Sequence, residues 1–269
     1  RNVRVYASGI ELPLSDEDMH AFYAGFARQG ITRGKLKVGL DRQADMRRIG
    51  VMRDALGSAG GAPELMIDAN EYWSPKQAIA ALRFFERRYD LVWVEEPARR
   101  WDWRGLKQVS RAVTAAVATG ENLKSVRDFL PLLEHDAADV VQVGLNTSGI
   151  TGARQVAEVA AAFERPVAMM NGPGNVMAHL AAALPNHQML ELANMGWEQV
   201  LDIDQRLEDG WLVLGDAPGH GLEFKPEALE KFQVEQISDS ARPSPTGRRR
   251  GAGLYPVPPN ESREQPGME

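Results

Sequence analysis

The sequence predicts an α/β fold of the (β/α)8-barrel type. Eight short β-rich runs alternate with seven longer helical patterns, which is typical of βα units arranged around a parallel sheet. Several of the β-rich runs end in acidic residues at nearly even spacing, as expected if the strands finish at one rim of a barrel. A doubly wound open sheet is the alternative, but it needs a topological switch point and usually a glycine-rich first turn, and neither is visible.

The predicted elements follow one another along the chain. The strands cover residues 3–7, 35–38, 65–68, 91–95, 115–119, 140–143, 167–170 and 189–192. The helices cover residues 16–28, 42–56, 75–88, 103–111, 126–133, 150–163 and 176–184. Ser15 and the pair Ser74-Pro75 mark two helix starts, because serine caps free N–H groups and proline fits the first helical position. The eighth strand lacks a clear helix after it.

Composition and charge exclude several classes of function. The 269 residues are 43% hydrophobic and 25% charged with a net charge of −6, so a nucleic-acid partner is not expected. No apolar run approaches the ~20 residues that span a bilayer, so we expect no membrane partner. Cysteine is absent, which excludes thiolate metal sites and cysteine nucleophiles and fits a cytoplasmic protein.

Composition also divides the chain into three parts. Residues 1–196 carry the barrel pattern, whereas residues 197–237 carry turn residues around short strand-like pieces and are expected to return over the barrel. Residues 238–269 are rich in Pro, Gly, Arg and Ser, which predicts a disordered tail. Because the chain begins with Arg1, almost inside a strand pattern, we expect a further segment upstream.

Three acidic residues stand where hydrophobic runs end: Asp68 in MIDAN, Glu95 in VWVEEP and Glu121 in AVATGEN. They are 27 and 26 residues apart, about the length of one βα unit. Taken singly, each fits a turn or a charged loop. Taken together at consecutive strand ends, they predict an oxygen-rich site for a hard divalent cation, and Mg²⁺ is the ion we assign.

Two lysines flank Leu36 in the sequence GKLKVG. Lys35 and Lys37 share a face of the second strand, because side chains two positions apart in a strand point the same way. A solvated strand edge is the alternative, but nearby carboxylates would oppose two buried ammonium groups. Mutual repulsion and a metal ion are expected to lower the lysine pKa, as a base near neutral pH requires.

The order K-x-K, D-x-N, E-E-P and G-E-N resembles the enolase superfamily, in particular its mandelate racemase and muconate lactonizing enzyme branch. The resemblance covers roughly residues 3–230. It implies a modified (β/α)7β barrel, a capping domain built mainly from an N-terminal segment, and often a homo-oligomer. The return segment 197–237 would pack on that capping domain. It also implies Mg²⁺ bound by the acids at the three strand ends, and abstraction of a proton α to a carboxylate.

The same resemblance suggests roles for individual residues. Lys37 matches the base, Lys35 a group that helps to hold the substrate carboxylate, and Glu191 a hydrogen-bonding partner of the enolic oxygen. Three further residues are assigned to substrate binding from their places beside predicted strand ends: Asn70, Tyr72 and Asn171. The alternatives are an Asx turn, core packing and a tight turn, respectively.

One part of the family pattern is absent. Racemase-like members carry an Asp on strand six and a His on strand seven as a second base, and these positions correspond to Gly144 and to Met170 or a neighbour of it. A two-base racemase is therefore disfavoured, and a one-base dehydration of a small hydroxy acid or acid sugar is favoured. A racemase or epimerase with an unrecognised acid, and a barrel that binds metal without catalysis, are the alternatives.

Overall fold

Eight parallel strands close into a barrel in this computed structural model, which describes residues 1–9, 14–145, 149–193 and 196–232. Their order around the barrel is their order in the chain, and the first strand also pairs with the eighth. The strands are β1 (Asn2–Gly9), β2 (Arg33–Lys37), β3 (Glu64–Asp68), β4 (Leu91–Glu95), β5 (Ala116–Thr119), β6 (Val140–Val143), β7 (Val167–Met169) and β8 (His187–Leu192). The predicted barrel is confirmed, and the open sheet is excluded.

In the described ranges, seven helices connect these strands: α1 (Asp16–Ala27), α2 (Arg42–Gly57), α3 (Pro75–Phe85), α4 (Trp103–Ser110), α5 (Val126–Glu134), α6 (Gly149–Ala162) and α7 (Ala178–Ala183). Ser15 accepts a hydrogen bond from the N–H of Asp18, and Ser74 forms a reciprocal capping box with Gln77. Every predicted strand and helix is present, with ends shifted by three residues or fewer. None of the described helices is long and apolar enough to cross a bilayer.

The barrel interior is filled by inward-facing side chains from seven strands. Trp93 and Tyr6 pack edge to face with ring centroids 5.3 Å apart. Outward-facing strand residues pack against the helices in a larger core. Since side chains two positions apart share a face, the residues two positions beyond Met66, Trp93 and Met189 also point inward, toward the carboxyl ends of the strands. The interior cluster is Tyr6, Met66, Trp93, Ala118, Val140, Ala168 and Met189.

After β8 the chain forms short strands and one helix: β9 (Leu201–Ile203), β10 (Gln205–Glu208), β11 (Trp211–Leu214), β12 (Leu222–Phe224) and α8 (Pro226–Phe232). Strand β11 pairs antiparallel with the first half of β1, where Val3 lies opposite Leu212. The described part of the return segment 197–237 thus extends the barrel's own sheet. Packing of that segment on a capping domain stays a prediction, and the predicted tail 238–269 lies outside the described residues.

Candidate active site

The register of the strands brings the predicted site residues to one rim. Lys37 lies opposite Asp68 in the pairing of β2 with β3, and Asp68 lies opposite Glu95 in the pairing of β3 with β4. Glu95 in turn lies opposite Ala118 on β5, three positions before Glu121. Four neighbouring strands therefore carry, at or just past their ends, the predicted base and the three predicted metal ligands.

The two lysines are bound to the carboxylates by direct ion pairs. Lys37 Nζ contacts Asp68 Oδ2. Lys35 Nζ lies 2.5 Å from Glu95 Oε2, 2.8 Å from Glu191 Oε1 and 3.9 Å from Asp68 Oδ2. Lys35 is 1% exposed, so its charge is held by these neighbours and by the Tyr6 ring, whose centroid is 5.5 Å from Nζ. The sequence did not predict this role for Tyr6.

Two of the predicted substrate-binding residues contact site carboxylates. The backbone N–H of Asn70 donates to Asp68 Oδ1 at 2.7 Å, and its side-chain amide donates to Oδ2 at 3.1 Å. Asn171 donates to Glu191 Oε2 from its side chain at 2.5 Å and from its backbone at 3.2 Å. Tyr72 is 6% exposed and packs in the hydrophobic core. Contact of all three with a substrate stays a prediction.

Burial and crowding set the pKa values of the acids. Burial, reinforced by the negative charge of Asp68, raises the pKa of Glu95 well above its usual value. Burial also raises the pKa of Glu121, although the charge of Lys37 opposes it. For Asp68, burial acts to raise the pKa, but Lys37 and Lys35 outweigh it and the pKa is lowered. The positive charges of Lys35 and Lys37 thus offset only part of the negative charge that the ionised carboxylates would carry.

The sequence predicted lowered pKa values for Lys35 and Lys37. That prediction is wrong when only the side chains of the site act on the lysines, because both pKa values are then raised. Burial acts to lower the pKa of Lys37, but the negative charge of Asp68, helped by Glu121 and Glu95, outweighs it and the pKa is raised. The pKa of Lys35 is raised in the same way, chiefly by Glu191 and Glu95. For Lys37, the attraction of the acids outweighs both burial and the repulsion from Lys35.

The carboxylate oxygens of Asp68, Glu95 and Glu121 are ligands of the kind that a hard divalent cation prefers. Glu95 Oε1 is buried and has no hydrogen-bond partner among the described residues, which is costly unless a cation or a donor is bound there. Four carboxylates face two ammonium groups, so two negative charges are left when all are ionised. Within the described ranges no three His, Asp or Glu side chains already converge on one point, and lysine ammonium groups contact Asp68 and Glu95 instead.

The positions expected for a second base carry no ionisable group. Gly144 directly follows β6, and Met170 directly follows β7 and is 5% exposed. Residues 146–148, which come next after the β6 end, lie outside the described residues. At the two matched positions, the chain therefore offers no acid or base opposite Lys37.

The family assignment agrees with this geometry. A family model described as enolase C-terminal domain-like matches residues 18–228. The chain belongs to the enolase superfamily. Within it, the chain lies in the mandelate racemase and muconate lactonizing enzyme branch, as the sequence motifs predict.

Relatives within the superfamily catalyse different reactions. The chain is 35% identical over 208 residues to the L-talarate/galactarate dehydratase of Salmonella typhimurium, covering 76% of this chain and 50% of that protein. A Streptomyces coelicolor racemase solved with bound magnesium has a TM-score of 0.78 and 30% identity, covering 87% of this chain and 64% of that one. An L-talarate dehydratase from Polaromonas, complexed with Mg and L-glucarate, has a TM-score of 0.77 and 30% identity, covering 85% and 62%. The chain thus spans one half to two thirds of the length of these superfamily members.

The structure also contains a set of contacts that the motifs did not predict. The buried Glu71 and Arg100 and the half-buried Asn122 lie on the loops that follow β3, β4 and β5, where Arg100 donates hydrogen bonds to the other two. The sequence contains one hint, since Glu71 directly follows the D-x-N motif and Asn122 is the last residue of G-E-N. Their pairing with Arg100 is a tertiary contact that no local pattern encodes.

Proposed function

We propose that this chain forms the metal-binding barrel of a Mg²⁺-dependent enzyme that dehydrates a small acid sugar or hydroxy acid. The observation that carries the proposal is the contact of Lys37 with Asp68 at a rim of carboxylates. Lys37 is the candidate base, and the two positions matched to a second base, Gly144 and Met170, carry no ionisable group. Relatives that span a greater length include dehydratases of acid sugars and a racemase.

The metal ligands in the proposal are Asp68, Glu95 and Glu121. The unpartnered Glu95 Oε1 and the two uncompensated negative charges support a divalent ion, and two related structures hold magnesium. When bound, the ion would offset the negative charge that develops on a substrate carboxylate as its α-proton leaves. Asn70 holds both oxygens of Asp68 and so limits how that carboxylate can rotate.

Lys37 is the proposed base. Its Nζ accepts the α-proton of the substrate, the Cα–H bond pair moves into a Cα–Cβ double bond, and the C–O bond to the β-hydroxyl breaks. The departing hydroxide takes up a proton from solvent and is released as water, and Lys37 later returns its proton to solvent. The enol that remains tautomerises to a 2-keto-3-deoxy acid. For this step Lys37 has to be neutral, so the contact with Asp68 that raises its pKa has to give way as Asp68 takes up its ligand role.

Glu191 and Lys35 are proposed to stabilise the charge on the substrate. Glu191 is fixed by Lys35 on one oxygen and by Asn171 on the other, so it would meet an enolic oxygen in one fixed orientation. Lys35 lies between Glu95 and Glu191, and its ammonium group supplies positive charge close to where a substrate carboxylate would lie. Fixed charges of this kind act without reorganisation during the reaction.

The test is a library of acid sugars and hydroxy acids incubated with the protein and Mg²⁺ in D₂O. Formation of a 2-keto-3-deoxy product supports the dehydratase. Interconversion of stereoisomers without water loss would instead support the racemase or epimerase. Mg²⁺ binding by calorimetry without exchange on any acid would support a metal-binding barrel that lacks catalysis, and would overturn the proposal.

A further inference from the structure

We infer that the buried ion pair between Arg100 and Glu71 is a positioning device that ties together the three loops following the proposed metal ligands, and thereby sets the affinity for the ion. The link to metal affinity rests on the proposed function. The link between the loops rests on contacts in the structure alone.

The pair has the geometry of a rigid clamp. The backbone N–H and the Nε of Arg100 each donate to Glu71 Oε1 at 2.7 Å, and Nη2 donates to Oε2 at 2.7 Å. Arg100 is 4% exposed and Glu71 2%. Forked arginine–carboxylate bonds of this kind fix orientation as well as distance. Removing one partner of a buried pair strongly destabilises the folded protein, because the other charge is left buried and uncompensated.

The pair lies where three loops meet. Glu71 is three residues past Asp68, and Arg100 is five residues past Glu95. Arg100 Nη1 also donates to the carbonyl of Asn122 at 3.3 Å, and Asn122 directly follows Glu121. The guanidinium group of Arg100, in the loop after β4, therefore contacts both the loop after β3 and the loop after β5.

Two of these loops, those after β3 and β4, have a backbone that requires such support. Asn70, Glu71 and Glu96 have φ values of 44°, 59° and 42°, a left-handed conformation that is uncommon for residues other than glycine. Such conformations persist where surrounding contacts fix them. The N–H of Glu71 donates to the carbonyl of Glu96 at 2.8 Å, and the side chain of Asn122 donates to Glu96 Oε1 at 2.7 Å.

The consequence concerns the carboxylates. Asp68 and Glu95 are the last residues of β3 and β4, and Glu121 lies two residues past β5, so the loops that follow help to fix where each carboxylate stands. The three carboxylates repel one another when ionised. A fixed clamp keeps them close before any ion arrives, which lowers the reorganisation that binding requires. Partners of this kind, one step removed from the metal, change metal affinity about 10–100-fold when they are altered.

The test compares Arg100→Lys with Arg4→Lys. Lysine keeps the charge but cannot form the fork. Arg4 also pairs with a glutamate, since its Nη2 donates to both oxygens of Glu64 at 2.5 and 2.7 Å, but this pair is partly exposed and lies toward the amino-terminal end of the barrel strands. Calorimetric titration with Mg²⁺ should show affinity about 10–100-fold weaker for Arg100→Lys and unchanged for Arg4→Lys. Equal affinities for Arg100→Lys and wild type would overturn the inference.

Amide hydrogen exchange without added metal separates this inference from the proposed function. Arg100→Lys should speed exchange in all three loops, 69–74, 96–102 and 120–125, whereas Arg4→Lys should not. Faster exchange confined to the loop that carries Arg100 would overturn the inference whether or not the protein binds an ion. If Arg100→Lys fails to fold, Glu71→Gln, which keeps the side-chain shape, is measured in its place. Absence of Mg²⁺ binding in wild type would count against the proposed function alone.

Discussion

Lys37 and Asp68 lie opposite each other on neighbouring strands, and their side chains are in direct contact. The proposed base and a proposed metal ligand therefore share one ion pair. In the proposed function, a cation that takes the Asp68 oxygen would weaken the largest of the attractions that raise the pKa of Lys37, because the carboxylate charge would then be shared with the metal. Metal binding and preparation of the base would thus be coupled through this contact.

The first prediction follows from that contact. Replacing Lys37 with Gln should slow α-proton exchange about 10²–10⁴-fold, the usual contribution of a general base. Mg²⁺ affinity should be retained or rise, because the ammonium group no longer competes for Asp68. Proton NMR in D₂O measures the exchange, and calorimetry measures the affinity. The matched control is Lys107→Gln, which alters a surface ion pair with Asp136 on the outside of the barrel.

An exchange rate in Lys37→Gln equal to that of wild type would assign the base to another residue. A rate that falls together with Mg²⁺ affinity would indicate that Lys37 acts through the structure of the site. The two readouts thus separate a group that moves the proton from one that only supports the carboxylates.

The second prediction concerns stereochemistry. Gly144 and Met170 carry no ionisable group at the places matched to a second base, so the proposed base, Lys37, would act on one face of the substrate carbon alone. Of two enantiomeric hydroxy acids, one should exchange its α-proton in D₂O and the other should not. Chiral chromatography together with NMR distinguishes them. Exchange of both enantiomers, or their interconversion, would reveal an acid on the opposite face.

The third prediction concerns metal removal. At a Mg²⁺ concentration of about 100 times its dissociation constant, the free energy of unfolding should rise by ~2.7 kcal/mol, and EDTA should reverse this. Glu121→Gln should abolish the effect. Glu191→Gln should retain it, because Glu191 pairs with Lys35 and is not a proposed ligand. Urea unfolding followed by circular dichroism provides the measurement, and equal responses of the two variants would contradict the ligand assignment.

The sequence predicted the barrel and the placement of its acids at one rim for a simple geometric reason. In a barrel of βα units, strand ends one unit apart become neighbours, so the spacing of Asp68, Glu95 and Glu121 places them at or just past three neighbouring strand ends. The period of two within a strand then placed Lys35 and Lys37 on one face. Both inferences use only local periodicity and the fixed geometry of parallel strands.

Other features depended on contacts that the sequence does not encode locally. The pairing of β11 with β1 joins distant parts of the chain, and the Arg100–Glu71 clamp joins two loops whose side chains have no periodic relation. The direction of the Lys37 pKa shift is the sum of opposing effects from burial and several charges. Only coordinates give the distances that decide which effect is larger.

The last prediction uses a group at the amino-terminal end of β8, away from the site. His187 begins β8, and its Nε2 is buried without a hydrogen-bond partner among the described residues. Burial lowers the pKa of His187 to about 4, although a backbone hydrogen bond with Met189 opposes it. The unfolded chain then binds a proton below about pH 6.5 that the folded chain does not bind until about pH 4.

Stability should therefore fall as the pH decreases from about 6.5 to about 4, by up to ~3 kcal/mol from this residue, and no further below that. Replacing His187 with Gln should remove this part of the slope, whereas His20→Gln, on the exposed face of α1, should leave it. Urea unfolding in EDTA at about pH 7 and about pH 4.5 gives the difference between each variant and wild type. The other titrating groups are the same in wild type and in His187→Gln, so they cancel in the comparison. If the unfolding free energy of His187→Gln changed with pH just as that of wild type does, the imidazole of His187 would already be charged or hydrated in the folded barrel.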